Sequence, residues 1–150
     1  MTNAGGPPAG NFATTEVDAY AGAIALDLMS VVAMCKAAVP GFQERGWGRV
    51  VAITSLAVRQ PYPELILSNT ARAGTTGFLK TLAREVAGDG VTVNSVQPGL
   101  HRTDRVKELY GDSVDEQPMG DPDDFGATVA FLCSEQAQIH IDGGASQALL

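Results

Sequence analysis

Four polar side chains interrupt otherwise apolar stretches of this 150-residue chain, at spacings that could bring them together. Asp27 continues the apolar stripe of a helix-like segment, so its carboxylate points toward the protein interior. Ser68 and Arg72 are four residues apart and are therefore neighbours one helical turn apart. Ser55 follows a short β-branched run. A carboxylate, a guanidinium and two hydroxyls could form an ion pair, bind an anion or hydrogen-bond the hydroxyls of a ligand.

Each of these residues also has an ordinary structural interpretation. A buried carboxylate needs a partner, but Asp27 could instead be a partly exposed acid at the edge of the stripe. Arg72 also needs a partner if it is buried, and spacing alone favours an arginine whose stem covers apolar surface while its head reaches water. A serine at the end of a buried strand, such as Ser55, is usually a satisfied structural hydroxyl.

Two long amphipathic helices must position Asp27 and Arg72. The first is predicted to begin at Glu16 and to end near Pro40 or a turn later, with an apolar stripe that recurs every three or four residues: Val17, Tyr20, Ile24, Leu28, Val31, Cys35 and Val39. The second carries a stripe with the same spacing: Leu65, Ser68, Arg72, Thr76, Leu79, Ala83 and Val86. It ends at residues 88–90, which tolerate positive φ.

Short strands alternate with these helices. Residues 50–53 and 91–96 are predicted strands, the chain opens with the remnant of another, and residues 139–141 form a last one after a helix capped by Asp121. This alternation predicts right-handed crossovers and a parallel sheet. Ligands of such sheets bind beyond the carboxyl ends of the strands. Three short runs stand there: Asn3-Ala4-Gly5, Thr54-Ser55 and Gln97-Pro98-Gly99.

Composition narrows the class of protein. Hydrophobic residues make up 45% of the chain and charged residues 18%, which fits a single globular domain. A net charge of −7 without a basic run disfavours nucleic-acid binding. Cys35 and Cys133 fit neither a disulfide framework nor a metal spacing with His101 or His140, and are predicted core residues. Because no targeting pattern is present and no apolar run approaches the ~20 residues that span a bilayer, we expect a cytoplasmic protein without membrane contact.

Five motifs, in the right order, make the chain resemble the short-chain dehydrogenase/reductase family. They look like the family's segments from its fourth strand onward: Asn3-Ala4-Gly5; Gly48-Arg49-Val50-Val51 with Ile53-Thr54-Ser55; Val93-Asn94; Pro98-Gly99 with Thr103; and Phe131-Leu132-Cys133-Ser134 with Ile141-Asp142-Gly143-Gly144. The resemblance implies an α/β fold over residues 1–150. That fold is a partial Rossmann-like, doubly wound domain with a mostly parallel sheet from the fourth strand onward.

The resemblance also implies a reaction. Family members transfer hydride between a nicotinamide cofactor, NAD or NADP, and a small-molecule alcohol/carbonyl pair, frequently a 3-oxoacyl thioester. They use a serine, a tyrosine, a lysine and an asparagine, and these positions fall on Ser55, Ser68, Arg72 and Asp27, respectively. The family's cofactor-binding positions fall on Asn3, Ala4, Gly5, Pro98, Gly99 and Thr103, and no metal is implied.

Three of the four catalytic positions depart from the family pattern. A tyrosine, with a pKa of about 10, can serve as a general acid/base beside a cation, whereas the shorter hydroxyl of Ser68 cannot. Arg72 could still hold ribose hydroxyls, but a pKa above about 12 prevents it from relaying a proton. Asp27 brings a negative charge where the family has a neutral amide. This predicts a contact between Asp27 and Arg72, direct or through water.

The glycine-rich phosphate turn of the family is absent from the 150 residues, along with the strands that precede the fourth. Neither residues 5–10 nor residues 41–48 follow a strand and open a helix that could face a pyrophosphate. One interpretation is an oxidoreductase by ancestry that is inactive as this isolated chain. The alternative is a truncated, non-catalytic module that forms homo-oligomers through its two long helices.

Overall fold

The computed structural model describes residues 1–111 and 118–137. Its sheet is built on two parallel strands, β1 (Gly48–Ile53) and β2 (Val91–Val96), which pair in register along their whole length. This parallel pairing confirms the predicted α/β fold. The predicted final strand, residues 139–141, lies outside the described residues.

The first residues of the chain extend this sheet. Thr2 forms a parallel bridge to Ala52 on the edge of β1 opposite β2. Its N–H donates to the carbonyl of Val51 over 2.8 Å, and its own carbonyl accepts from the N–H of Ile53 over 3.0 Å. The predicted strand remnant therefore pairs as expected, and the segment that follows it reaches the carboxyl end of β1.

The described residues form four helices besides the strands: α1 (Ala19–Glu44), α2 (Ile66–Glu85), α3 (Asp104–Tyr110) and α4 (Pro122–Leu132). Helices α1 and α2 pack against the sheet, and α4 contacts β1. The main core cluster draws on both long helices and both strands: Val31, Cys35, Val39, Val50, Ala52, Leu79, Val86 and Val91. Cys35 is a core residue as predicted, whereas Cys133 is only half-buried.

The middle of α1 is wound more widely than its ends. The helix is α-helical over Ala19–Ile24, π-helical over Ala25–Met29 and α-helical again over Ser30–Glu44. A π-helical turn adds a residue to the helix, so the faces before and after it fall out of register. Asp27 lies inside this turn.

The predicted buried faces are wrong by one residue in the first half of each long helix. In α1, Val17 is 80% exposed and Ile24 is exposed, and the interior positions are Ala23 and Asp27. The wide turn in α1 explains this shift. In α2, the buried face holds Leu67, Ala71, Thr75 and Leu79, while Ser68, Arg72 and Thr76 lie half-buried beside it.

Two predicted helix signals are confirmed. The side chain of Asp121 accepts a hydrogen bond from the N–H of Asp123 over 2.9 Å and caps α4, with Pro122 in the first turn. After α2, Gly90 has a φ of 69°. A Cβ on Gly90 would overlap the carbonyl oxygen of Gly46, so this turn requires glycine.

Helix α1 contradicts the expectation that no apolar run is long enough to span a bilayer. At 26 residues it is long and apolar enough, by length and composition, to cross a membrane. The core helix of a protein that does not enter a membrane passes the same test, and α1 buries one face against the sheet. It also carries the charged Asp27 near its middle, where a bilayer would penalise an ionised carboxylate. The predicted cytoplasmic location stays a prediction.

Candidate active site

Arg72 occupies the centre of the candidate site, at the carboxyl end of β1. Its Nη1 donates to the carbonyl oxygens of Ile53 and Thr54, both over 3.0 Å. Its Nη2 donates to the carbonyl oxygen of Gly5 over 2.8 Å, and its Nε donates to Oγ of Ser68 over 3.1 Å. One side chain therefore ties helix α2 to the ends of two neighbouring strand segments.

Asp27 completes this arrangement from α1. Its Oδ1 lies 3.2 Å from Nη2 of Arg72, and the two side chains are 0% and 11% exposed, respectively. The predicted contact is confirmed as a direct one, so neither the partly exposed Asp27 nor the solvent-reaching Arg72 is correct. Four of the five N–H groups of this guanidinium donate hydrogen bonds, and the fifth belongs to Nη2, the nitrogen that pairs with Asp27.

The carboxylate of Asp27 depends on this one partner. The ion pair is not aligned as a hydrogen bond, and neither oxygen of the carboxylate accepts a hydrogen bond from any described residue. The backbone of Asp27 is better fixed, because Oγ1 of the buried Thr75 donates to its carbonyl oxygen over 2.7 Å. This bond from α2 stabilises the π-helical turn that carries the carboxylate.

Burial dominates the electrostatics of the pair. It raises the pKa of Asp27 above the ordinary value of 3.8, and the positive charges of Arg72 and Arg105 oppose the rise. Burial also lowers the pKa of Arg72, while the charge of Asp27 opposes that shift. Both directions have the same cause, because each charge has been moved away from water.

The two serines make local contacts. Oγ of Ser55 accepts a hydrogen bond from the N–H of Ala57 over 3.1 Å and caps the turn at Leu56–Val58, which is the ordinary structural role. Oγ of Ser68 accepts from Arg72. The structure therefore brings Asp27, Ser68 and Arg72 into one network. Ser55 is joined to it only through the backbone of Thr54, its neighbour along the chain.

The predicted cofactor-binding residues lie on the loops beyond the strand ends. Gly5 contributes its carbonyl to Arg72, and the carbonyl of Pro98 accepts from the N–H of Leu56 over 3.0 Å. Thr103 is the exposed N-cap residue of α3, without a capping bond from its side chain. The other predicted positions, Asn3, Ala4 and Gly99, are exposed or half-buried.

Arg105 is a site residue that the sequence analysis missed. From α3, its Nη2 donates to the carbonyl oxygen of Pro7 over 2.8 Å, and its Nη1 donates to Oε2 of Glu108 over 3.0 Å. The charge of Arg105 acts on both Asp27 and Arg72. The only signal in the sequence was its position shortly after Thr103, and that signal is too weak to assign a contact.

Comparison with known proteins decides the family. The family model for enoyl-(acyl carrier protein) reductase matches residues 1–146. The chain belongs to the short-chain dehydrogenase/reductase family. Nodulation protein G of Azospirillum brasilense is 34% identical over 146 residues, which cover 89% of this chain and 59% of that protein. This short-chain dehydrogenase/reductase thus spans about half to three fifths of the length of the curated relatives it matches.

Solved structures of related proteins share the fold of this chain. A 3-oxoacyl (acyl-carrier-protein) reductase from Agrobacterium tumefaciens with NADP bound is 28% identical, with a TM-score of 0.84 over 94% of this chain and 58% of that one. A short-chain oxidoreductase from Pseudomonas aeruginosa, NADPH-bound and described as containing an atypical catalytic center, is 26% identical, with a TM-score of 0.76 over 90% of this chain and 58% of that one. The Rossmann-like fold is therefore shared with proteins that bind NADP or NADPH.

Two of the residues predicted to be catalytic make their contacts within the protein. Arg72, at the lysine position, directs its N–H groups to Gly5, Ile53, Thr54, Ser68 and Asp27. The sequence-based expectation that it could hold ribose hydroxyls stays a prediction. Ser68, at the tyrosine position, is also engaged by Arg72.

Proposed function

We propose that this short-chain dehydrogenase/reductase does not itself transfer hydride between NAD or NADP and an alcohol/carbonyl pair. The observation that supports this is that Arg72 donates four hydrogen bonds to the protein's own oxygen atoms and pairs through Nη2 with Asp27. Ser68 supplies no group that can exchange a proton near neutral pH in place of a tyrosine. Ser68 therefore does not replace a tyrosine as the carrier of the proton that must accompany hydride transfer.

The substrate class of the ancestral reaction is proposed to be a 3-oxoacyl thioester. The support is the likeness to the Agrobacterium tumefaciens reductase, which is named for that activity.

An activity assay tests the proposal. The purified chain is mixed with acetoacetyl-CoA as the thioester probe and with NADH or NADPH, and oxidation of the nucleotide is followed by its absorbance. We expect the same rate with and without protein for both nucleotides. Thioester-dependent oxidation that disappears in the Ser55→Ala variant would show that the site is catalytic and that the proposal is wrong.

We also propose that the chain associates with itself through its two long helices. Between α1 and α2 lies a groove of about 150 Å³ whose walls are mainly apolar and include Val39, Phe78 and Leu82. Apolar surface of this kind favours association in water. A two-fold dimer would place the same groove of each protomer at one interface.

Sedimentation analysis of matched variants tests this association. Thr81 lies in the groove, and its hydroxyl donates to the carbonyl of Gly77 in its own helix. Thr128 makes the same kind of bond, to Asp124, on the exposed surface of α4. We expect Thr81→Arg to shift the chain toward the monomer and Thr128→Arg to leave association unchanged. Equal behaviour of both variants would exclude the groove as the interface.

A further inference from the structure

Two arginines hold the segment formed by residues 5–7, which follows the edge strand at Thr2. Arg72 of α2 donates to the carbonyl of Gly5, and Arg105 of α3 donates to the carbonyl of Pro7, each over 2.8 Å. These contacts join positions 67 and 98 residues apart in the sequence. The 5–7 segment is thus fastened at both ends by side chains from two different helices.

Gly6, between the two contacts, shows how closely the 5–7 segment lies against α3. A Cβ at Gly6 would stand 3.0 Å from Nη2 and 3.1 Å from Nε of Arg105. Such a contact is tighter than a side chain normally makes, so any larger residue would have to push the guanidinium aside. The segment and Arg105 therefore form a close-packed contact.

The hydrogen bond from Arg72 to Gly5 and the ion pair with Asp27 share one nitrogen atom of Arg72. Nη2 of Arg72 makes both the hydrogen bond to Gly5 and the ion pair with Asp27. The other partners of this buried guanidinium are uncharged oxygen atoms. Without the charge of Asp27, the guanidinium of Arg72 lacks a counter-ion. The Arg72 side chain is 11% exposed, so it already borders on solvent.

We propose that the Asp27–Arg72 ion pair is a charge-controlled latch for the 5–7 segment. While Asp27 is ionised, Arg72 stays inside and holds the segment against the carboxyl end of β1. When the charge of Asp27 is removed, Arg72 turns toward water and the segment is released, while Thr2 stays paired with β1. The latch operates whether or not the chain binds a nucleotide.

Acid should open this latch without unfolding the protein. The charged groups that face Asp27 are Arg72 from α2 and Arg105 from α3, whereas Thr75 contacts its backbone carbonyl. Since the pKa of Asp27 is higher in the folded state, the folded chain binds this proton more tightly than the unfolded chain does. Protonation of Asp27 therefore favours the folded state while it removes the ion pair.

Backbone relaxation measured by NMR on the full chain tests the latch. In the wild type near neutral pH, the amides of Gly5 and Gly6 should have order parameters of about 0.85, typical of rigid backbone. In Asp27→Asn they should fall below about 0.6, the range of flexible segments. The amides of Thr2 and Ile53, which take part in the pairing of the edge strand with β1, should stay rigid in both proteins.

A matched variant and an acid titration complete the test. Asp18→Asn removes the same charge from an exposed position just before α1 and should leave Gly5 and Gly6 rigid. In the wild type, lowering the pH through the raised pKa of Asp27 should loosen Gly5 and Gly6, and this measurement serves even if Asp27→Asn does not fold. Rigid Gly5 and Gly6 amides in Asp27→Asn, or in the acidified wild type while the sheet persists, would overturn the proposal.

Discussion

At the scale of single residues, the two members of the buried ion pair are unequal. Arg72 has four oxygen partners besides Asp27, whereas Asp27 has no aligned hydrogen bond from any described residue. Removal of one partner from a buried pair is costly when the charge left behind has no other compensation. Loss of Arg72 should therefore harm the protein more than loss of the charge on Asp27.

Denaturant unfolding of three variants tests this inequality. We expect Arg72→Met to lower the free energy of unfolding by about 3–5 kcal/mol, because it leaves the carboxylate of Asp27 buried without a partner. Asp27→Asn should change it by about 1 kcal/mol or less, and the double variant should recover part of the loss caused by Arg72→Met. A larger loss in Asp27→Asn than in Arg72→Met would contradict this assignment.

The free energy of unfolding should depend on pH through the ionisation of Asp27. A pKa raised in the folded state means that the contribution of Asp27 is fully present below the unfolded value of 3.8 and is lost as the pH rises through the folded pKa. The free energy of unfolding of the wild type, minus that of Asp27→Asn, should therefore decrease as the pH rises from 3.8 through the folded pKa of Asp27. A difference that increases with pH would show that the ion pair outweighs burial.

Some of the residue-scale arrangement could be predicted from the sequence. The ion pair was predicted from the positions that the family resemblance implies for Asp27 and Arg72, whereas spacing alone favoured an Arg72 head that reaches water. The hydrogen bonds from Arg72 to the carbonyls of Gly5 and Ile53 were not predictable, because every residue has a carbonyl and only the folded backbone brings particular ones together. The contact from Arg105 was missed for the same reason.

At the scale of elements, the π-helical turn determines which side chain of α1 enters the site. The order of helices and strands and the parallel pairing could be predicted from apolar periodicity and turn residues. The turn itself could not, because periodicity analysis assumes a constant number of residues per turn. The predicted stripe therefore placed Ile24 inside, where the structure places Ala23.

Thr75 should stabilise this turn. Its hydroxyl donates to the carbonyl of Asp27 in α1, besides its bond to Ala71 in α2. Thr75→Val keeps the shape but leaves that carbonyl without this donor, and we expect a loss of about 1–2 kcal/mol in the free energy of unfolding. Thr70→Val is the control, because the exposed Thr70 bonds only within α2, to Ile66. Equal losses would mean that the bond to Asp27 contributes nothing.

The turn before β2 should not tolerate a side chain. Gly90 combines positive φ with close approach to the carbonyl of Gly46, so Gly90→Ala should lower the free energy of unfolding by more than about 1 kcal/mol. Gly88→Ala, two residues earlier, is the matched control because a Cβ there meets no other atom within 4 Å. Thermal unfolding of both variants measures the difference. A Gly90→Ala protein as stable as Gly88→Ala would contradict the geometry.

At the scale of the whole molecule, the family fold is combined with an ion pair among the predicted catalytic positions. The chain matches the family model over residues 1–146, and the resemblance predicts Ser68 and Arg72 at the positions of the catalytic tyrosine and lysine. The resemblance implies that such positions face a ligand. Here Arg72 faces Asp27 and the backbone, so the interactions that would hold a nicotinamide ribose are made within the protein.

Calorimetric titration of the purified chain with NAD(H) and NADP(H) tests this central claim most directly. Because Arg72 directs four hydrogen bonds and an ion pair to protein oxygens, we predict no saturable binding of any of the four nucleotides in the micromolar range. Saturable micromolar binding that is weakened in an Arg72→Met variant shown to be folded would mean that Arg72 holds the cofactor, and would contradict the account.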